Sequence, residues 1–251
     1  KPCLGSNPHC ELAQSLSGDF YGTTHLGGAR NLGTVFRLTP DGDFTNLISF
    51  NGTNGESPEA GLLLAADGNF YGTTAAGGAN DDGTIFRLTP DGTLTTLFSF
   101  DGANGAAPFG KLALDKAGNF YGTTYIGGSS NMGTIFRLTP AGDFANLVSF
   151  TGVNGRNPYG ELTLADDANF YGTTYVGGTN DGGTVFRVTP AGVLTSLVSF
   201  VNGLGPTTGL TLAANGEFYG TTEGDGDFRR GSIFRLSVPL SPVFQPMLGR
   251  E

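Results

Sequence analysis

The sequence predicts an all-β protein, a five-bladed β-propeller with four antiparallel strands in each blade. Three observations carry the prediction. The stretch Phe-Tyr-Gly-Thr-Thr occurs five times, beginning at Phe20, Phe70, Phe120, Phe170 and Phe218. Gly-Thr-Ile-Phe-Arg-Leu-Thr-Pro or a variant of it follows each copy, and Leu-x-Ser-Phe follows the first four. Several short strands in a repeat of about fifty residues are typical of propeller blades.

The third repeat illustrates the predicted elements. Strand A is predicted over residues 111–114, strand B over 119–125, strand C over 133–139 and strand D over 143–150. Glycine-containing turns follow strands A and C, whereas the loops after strands B and D are longer. In an antiparallel blade the two long loops open on the same face of the disc. Because function on rigid β scaffolds concentrates in longer loops, this face is the predicted functional face.

The segment before the repeats has a different composition. Residues 1–10 are predicted to form an N-terminal strap, and residues 11–251 the propeller. Cys3 and Cys10 are the only two cysteines of the chain. An isolated pair at short separation predicts a disulfide in a secreted protein, and the alternative is two reduced thiols in a cytosolic protein.

The charge of the chain excludes some partners. The net charge is −9, with only 13 Lys and Arg residues. Nucleic acid and anionic membrane surfaces are therefore poor partners, because both require positive charge. No apolar run approaches the roughly 18 residues of a membrane-spanning helix, so no membrane insertion is expected. The chain begins at Lys1 and is interpreted as mature or trimmed.

The repeat motifs resemble those of a known family. Phe-Tyr-Gly-Thr-Thr, Gly-Thr-Ile-Phe-Arg-Leu-Thr-Pro-x-Gly and Leu-x-Ser-Phe-x-Gly, over about residues 11–236, resemble the GloVer repeat of bacterial choice-of-anchor tandem-repeat proteins. The stretch at 66–71 also resembles the more general NHL-type blade. The resemblance implies a secreted or surface-anchored propeller without an assigned catalytic activity, and it supplies no catalytic residues.

Aromatic residues on the long-loop face suggest a binding site. Tyr125, Tyr175, Phe109 and Tyr159 occupy positions that differ between repeats, so the architecture does not require them. A flat apolar ring among amide and hydroxyl groups suits a carbohydrate. The alternative is neutral variation on an exposed loop. The leading interpretation is a non-catalytic extracellular binding or scaffold module, secreted or on the cell surface. It would present this face to a glycan or a protein partner in a larger assembly.

Two alternatives to this function stay open. Glu11 and Glu161 begin their A strands near the mouth of the predicted channel, where a pair of carboxylates would serve a glycan-active hydrolase or lyase. The other alternative is a purely structural subunit of an extracytoplasmic assembly.

No cofactor is predicted, with Ca²⁺ as the alternative. Glu223, Asp225 and Asp227 alternate with glycine and could bind Ca²⁺ through their carboxylates. Asx turns, in which such side chains satisfy their own backbone, are the favoured explanation of the pattern.

Overall fold

A computed structural model describes residues 5–8, 10–201, 205–224 and 231–238. These residues form twenty-one β-strands and their connecting turns. No helix among them is long and apolar enough to cross a membrane. The predicted all-β class and the antiparallel pairing within each repeat are therefore confirmed.

Each repeat forms one antiparallel sheet, with four strands in the first four repeats and three described strands in the fifth. The first two sheets consist of β2 (Ala13–Gln14), β3 (Phe20–Thr24), β5 (Thr34–Leu38) and β6 (Phe44–Ser49), and of β7 (Leu63–Leu64), β8 (Phe70–Thr74), β9 (Thr84–Leu88) and β10 (Leu94–Ser99). The third consists of β11 (Ala113–Leu114), β12 (Phe120–Thr124), β13 (Thr134–Leu138) and β14 (Phe144–Ser149). The last two consist of β15 (Thr163–Leu164), β16 (Phe170–Thr174), β17 (Asp181–Val188) and β18 (Leu194–Val201), and of β19 (Thr211–Leu212), β20 (Phe218–Thr222) and β21 (Ser232–Leu236). A sixth, two-stranded sheet consists of β1 (Gly5–Ser6) and β4 (Leu26–Gly27).

The sixth sheet changes the interpretation of the N-terminal segment. Asn7 has the same left-handed backbone (φ 56°) as Ser57 (φ 53°) in the loop that enters the second repeat. The amide of His25 donates to the Asn7 carbonyl at 3.2 Å, and that of Ala75 donates to the Ser57 carbonyl at 3.0 Å. Residues 5–8 therefore share the backbone conformation and pairing of the loop between repeats, and the division of the chain at residue 10 stays a prediction.

The predicted disulfide is not supported. Cys10 is a free thiol, and its Sγ lies 2.8 Å from Oγ1 of Thr23. Cys3 lies outside the described residues. Cys10 occupies the position that Ala60 holds in the next loop, where the chain turns into strand A.

The glycine inside strand B leaves room for an aromatic ring. In the third sheet Gly122 lies opposite Phe136 on the neighbouring strand. A Cβ atom added at Gly122 would lie 2.5 Å from Cζ of Phe136 and 3.2 Å from Cδ2 of Leu112. The ring therefore covers the glycine, as expected for a glycine in a strand interior.

Aromatic stacking joins consecutive sheets. The ring of Tyr121 lies 4.2 Å from that of Phe170, and both side chains are buried. The hydroxyl of Thr123 donates to the carbonyl of Gly160 at 3.2 Å, which also links the third repeat to the fourth. Equivalent stacks are Tyr21–Phe70, Tyr71–Phe120 and Tyr171–Phe218. Each hydrophobic core thus lies between two successive sheets.

Candidate functional site

All five repeats contribute to one cavity. It has a volume of about 390 Å³, and its lining comes from the segment that leads into strand A of each repeat. The lining residues are Cys10, Glu11, Glu59, Ala60, Gly61, Phe109, Gly110, Lys111, Tyr159, Gly160, Glu161, Thr207, Thr208 and Gly209. Equivalent positions of the five repeats therefore line the same space.

One tier of this cavity consists of equivalent positions, one from each repeat, and carries most of its charge. Its five equivalent positions are Glu11, Gly61, Lys111, Glu161 and Gly209. The two carboxylates selected from the sequence therefore lie in one cavity. Nζ of Lys111, in the third repeat, forms an ion pair with Oε1 of Glu11, in the first repeat. Glu161 makes no side-chain ion pair or hydrogen bond with another described residue.

The two glycines of this tier make room for the carboxylate side chains. A Cβ atom added at Gly61 would lie 2.9 Å from Cγ of Glu11. One added at Gly209 would lie 2.8 Å from Oε1 of Glu161. Contacts this short do not occur between well-packed atoms. Each glutamate of the tier therefore lies over the glycine of the following repeat, and this arrangement could not be seen from the sequence.

A histidine and a glutamate form a pair that sequence reasoning missed. Nδ1 of His25 lies 2.8 Å from Oε1 of Glu59, and both side chains are less than one third exposed. Glu59 also lines the cavity. Burial, followed by the negative charge of Glu59 and the nearby Tyr125, raises the pKa of Tyr159. The only sequence signal was that these positions differ between otherwise similar repeats.

The predicted aromatic residues do come together. The ring centroid of Phe109 lies 5.2 Å from that of Tyr125 and 4.9 Å from that of Tyr159. The rings of Tyr125 and Tyr159 lie 5.9 Å apart and nearly perpendicular, at 85°. Tyr175 lies in the adjoining cavity with Tyr125 and Tyr159. All four residues thus belong to one surface over the third and fourth repeats.

This surface encloses a second cavity of about 560 Å³. It is lined by Tyr125, Tyr159, Tyr175, Thr207, Thr221, Thr222 and Glu223. Tyr159 and Thr207 also line the first cavity, so the two spaces adjoin. Burial, followed by the negative charge of Glu223, raises the pKa of Tyr175. We call the second cavity the tyrosine groove.

The predicted alternative metal site is only partly described. Glu223 lies in the tyrosine groove, whereas Asp225 and Asp227 lie outside the described residues. Within the described ranges, no group of three or more His, Cys, Asp or Glu side chains is placed to hold a metal ion.

The chain belongs to the Gloeobacter/Verrucomicrobia repeat family. The model of that repeat matches residues 3–164 and 110–244, which together span nearly the whole chain. This match confirms the resemblance identified from the repeat motifs. No curated protein matches the sequence.

Solved structures share the fold at low sequence identity. Virginiamycin B lyase from Staphylococcus aureus is 18% identical with a TM-score of 0.64, over 94% of this chain and 71% of that chain. A streptogramin B lyase is 18% identical with a TM-score of 0.61, over 90% of this chain and 68% of that chain. A putative gluconolactonase is 19% identical with a TM-score of 0.53, over 89% of this chain and 73% of that chain.

These neighbours correct the expected function. The sequence and the family resemblance predicted a non-catalytic binding or scaffold module that is not an enzyme. The similar structures are instead named as lyases and a putative gluconolactonase, so proteins named as enzymes share this fold. The non-catalytic interpretation is therefore wrong on this comparison, and the alternative with carboxylates at the channel mouth agrees better with it. At this level of identity the likeness itself is one of fold.

Proposed function

We propose that the chain is a five-bladed β-propeller enzyme, a glycan-active hydrolase with its catalytic carboxylates in the central cavity. One observation carries the proposal. Glu11, Glu59 and Glu161 reach the same cavity from three different repeats or inter-repeat loops, and the tyrosine groove adjoins it. Hydrolysis of a sugar C–O bond needs two such groups, one that donates a proton and one that accepts a proton from water. The five repeat sheets around one cavity support the blade count.

The environments of the carboxylates suggest separate roles. Glu161 has no charged partner among the described residues and would accept the proton of the attacking water. The water oxygen would then form a bond to the sugar carbon while the bond to the leaving oxygen breaks. His25 and Glu59 hold a proton between Nδ1 and Oε1, and this proton would pass through Glu59 to that leaving oxygen. Glu11, which is paired with Lys111, would stabilise the positive charge that develops on the sugar.

The charge of the cavity favours hydrolysis over elimination. A lyase that acts on a uronate must neutralise the substrate carboxylate with a nearby positive charge. Lys111 is the only Lys or Arg among the described residues that line either cavity, and Glu11 already pairs with it. Uncharged glycosides and sugar lactones do not meet this obstacle. A lactone is also the substrate class named for one of the fold neighbours.

A substrate panel with matched variants tests the proposal. The purified chain is assayed on aryl glycosides, neutral oligosaccharides, amino-sugar oligosaccharides, sugar lactones and uronate polymers, with product analysis by mass spectrometry. We expect water to be added across a glycosidic or lactone bond. Glu161→Gln and Glu59→Gln should each lower kcat/KM by about 10² or more, since general acid–base catalysis contributes about 10²–10⁴.

Glu56→Gln is the matched control. Glu56 lies in the same inter-repeat loop as Glu59 but lines neither cavity. It should keep the activity of the parent. Activity that survives Glu161→Gln, or products with an unsaturated ring, would refute the assignment. The absence of turnover on the whole panel would refute the proposed function.

A further inference from the structure

The tyrosine groove has a composition that goes beyond what a neutral sugar requires. The side chains of Tyr125, Tyr159, Tyr175 and Glu223 line it together with threonine hydroxyls. Tyr125, Tyr175 and Glu223 occupy the same position in three successive repeats, immediately after Thr-Thr. That position is Ala75 in the second repeat, so the fold does not require an aromatic or acidic side chain there.

The rings are arranged as walls around a space. Tyr125 and Tyr159 meet at 85°, and Phe109 packs against both of them from the side of the first cavity. The two rings are nearly perpendicular and both line the groove, and the π-face of each ring carries negative electrostatic potential. Such a corner attracts a cation more strongly than a single stacked ring does, and aromatic cages for ammonium groups are built in this way.

The charged groups around the groove also favour a cation as the ligand. Glu223 lies in the groove. Glu59 is close to Tyr159, and its charge adds to the effect of burial in raising the pKa of the Tyr159 hydroxyl. Lys111 is the one positive side chain among the described lining residues, and the Glu11 carboxylate balances it. Glu161 adds a further negative charge in the adjoining cavity. A ligand that enters from the groove therefore meets net negative charge throughout.

We propose that the tyrosine groove is a substrate subsite for a protonated amine, so that the natural substrate is a glycan with amino-sugar units. The ammonium group would lie against the faces of Tyr125 and Tyr159 and form a charged hydrogen bond with Glu223. The neighbouring sugar unit would then extend over Tyr159 into the first cavity, because Tyr159 lines both spaces. This inference rests on the proposed function for its choice of a sugar as the ligand.

A pair of oligosaccharides that differ only in the amine provides the test. Tetramers of glucosamine and of N-acetylglucosamine are titrated calorimetrically into the full chain that carries Glu161→Gln, so that turnover does not interfere. At a pH where the amines are protonated, we expect the glucosamine tetramer to bind about tenfold tighter, within the range that cation–π contacts and one charged hydrogen bond provide. The preference should weaken as salt is added.

Two further variants assign the preference to the groove. Glu223→Gln and Tyr125→Ala should each reduce the preference for the amine at least severalfold, and Glu56→Gln should leave it unchanged. Thermal unfolding of each variant establishes that it is folded. Equal binding of the two tetramers, tighter binding of the acetylated one, or no binding of either would overturn the inference.

The two proposals can fail separately. Turnover of neutral glycans without any amine preference would overturn the subsite and leave the proposed function standing. An amine preference that Glu223→Gln removes, in a parent chain that cleaves none of the panel substrates, would support the subsite and refute the hydrolase.

Discussion

Gly122→Ala provides a direct test of how the repeats pack, and it needs no knowledge of the substrate. Gly122 lies in the middle of strand β12 in ordinary extended backbone, so alanine fits the backbone itself. Its added Cβ would lie 2.5 Å from Cζ of Phe136. This distance is about 1 Å shorter than the separation at which two carbon atoms pack best. The ring of Phe136 is fully buried, so it cannot relieve the contact by moving without displacing its neighbours in the core.

The expected cost follows from this overlap. Overpacking in a core costs about 1–3 kcal/mol. Alanine also reduces the conformational freedom of the unfolded chain, which offsets about 0.4–1 kcal/mol of that cost. With the middle of each range, about 2 and about 0.7 kcal/mol, we expect the free energy of unfolding to fall by about 1.3 kcal/mol. In a chain of this size each kcal/mol changes Tm by about 2–4 °C, so Tm should fall by about 3–5 °C.

A double-mutant cycle identifies the cause. Phe136→Leu removes the ring atom that the new methyl group would touch, so it should recover most of the loss caused by Gly122→Ala, although it leaves a cavity of its own. Chemical denaturation of the two single variants and the double variant measures the coupling. Gly142→Ala is the control, because no atom lies within 4 Å of its added Cβ and its cost comes only from a φ of 95°. Additive effects of Gly122→Ala and Phe136→Leu, or an unchanged stability of Gly122→Ala, would show that the ring does not limit this position.

Three further predictions concern other parts of the molecule. Burial tends to raise the pKa of Asp67, but hydrogen bonds from Asn69 and Tyr71 outweigh it and hold the pKa below its ordinary value of 3.8. The ionised carboxylate therefore stabilises the fold above pH 3.8, and this stabilisation is lost as the pH falls through the lowered pKa. Asp67→Asn should therefore flatten the acid side of a Tm-versus-pH curve, and an unchanged curve would contradict this. Gly209→Ala should displace the flexible end of Glu161 and lower kcat at least tenfold with a Tm within about 2 °C of the parent, whereas a parallel loss of Tm would indicate a packing defect instead. Thr123→Val leaves the buried carbonyl of Gly160 without its donor, so the free energy of unfolding measured with denaturant should fall by about 1–3 kcal/mol. An unchanged free energy would mean that this hydrogen bond adds no stability between repeats.

The repeat sheets could be predicted because their strand motifs recur several times in the sequence. Phe120, Tyr121 and Gly122 recur at a fixed period, and each copy removes ambiguity from the others. The loop nature of residues 5–8 was also encoded. Gly5 and Pro8 match the Gly-x-x-Pro spacing of the later inter-repeat loops, such as Gly55 and Pro58. The composition of the N-terminus, with its two cysteines, obscured this match.

The candidate site could be predicted only in part. Glu11 and Glu161 were identifiable because charged residues at the start of a recurring apolar strand are conspicuous. The pairing of His25 with Glu59 depends on contacts across two repeats, and the sequence contains no local pattern for such a contact. The role of Gly61 and Gly209 could not be predicted either, because only the structure shows that they leave room for the acids beside them.

Symmetry explains why this tier cannot consist of five identical residues. Five carboxylates around a cavity of about 390 Å³ would repel one another, and some would have to take up protons to relieve the repulsion. The observed order Glu, Gly, Lys, Glu, Gly leaves two carboxylates and one ammonium group. The ammonium group balances Glu11, and the glycines provide room for both acids. Glu161 thus differs in environment from Glu11 although the two positions are equivalent in the fold, and such a difference is what separate roles in acid–base chemistry require. The repeats that build the scaffold are nearly identical, so the chemistry of the site depends on the few positions where they differ.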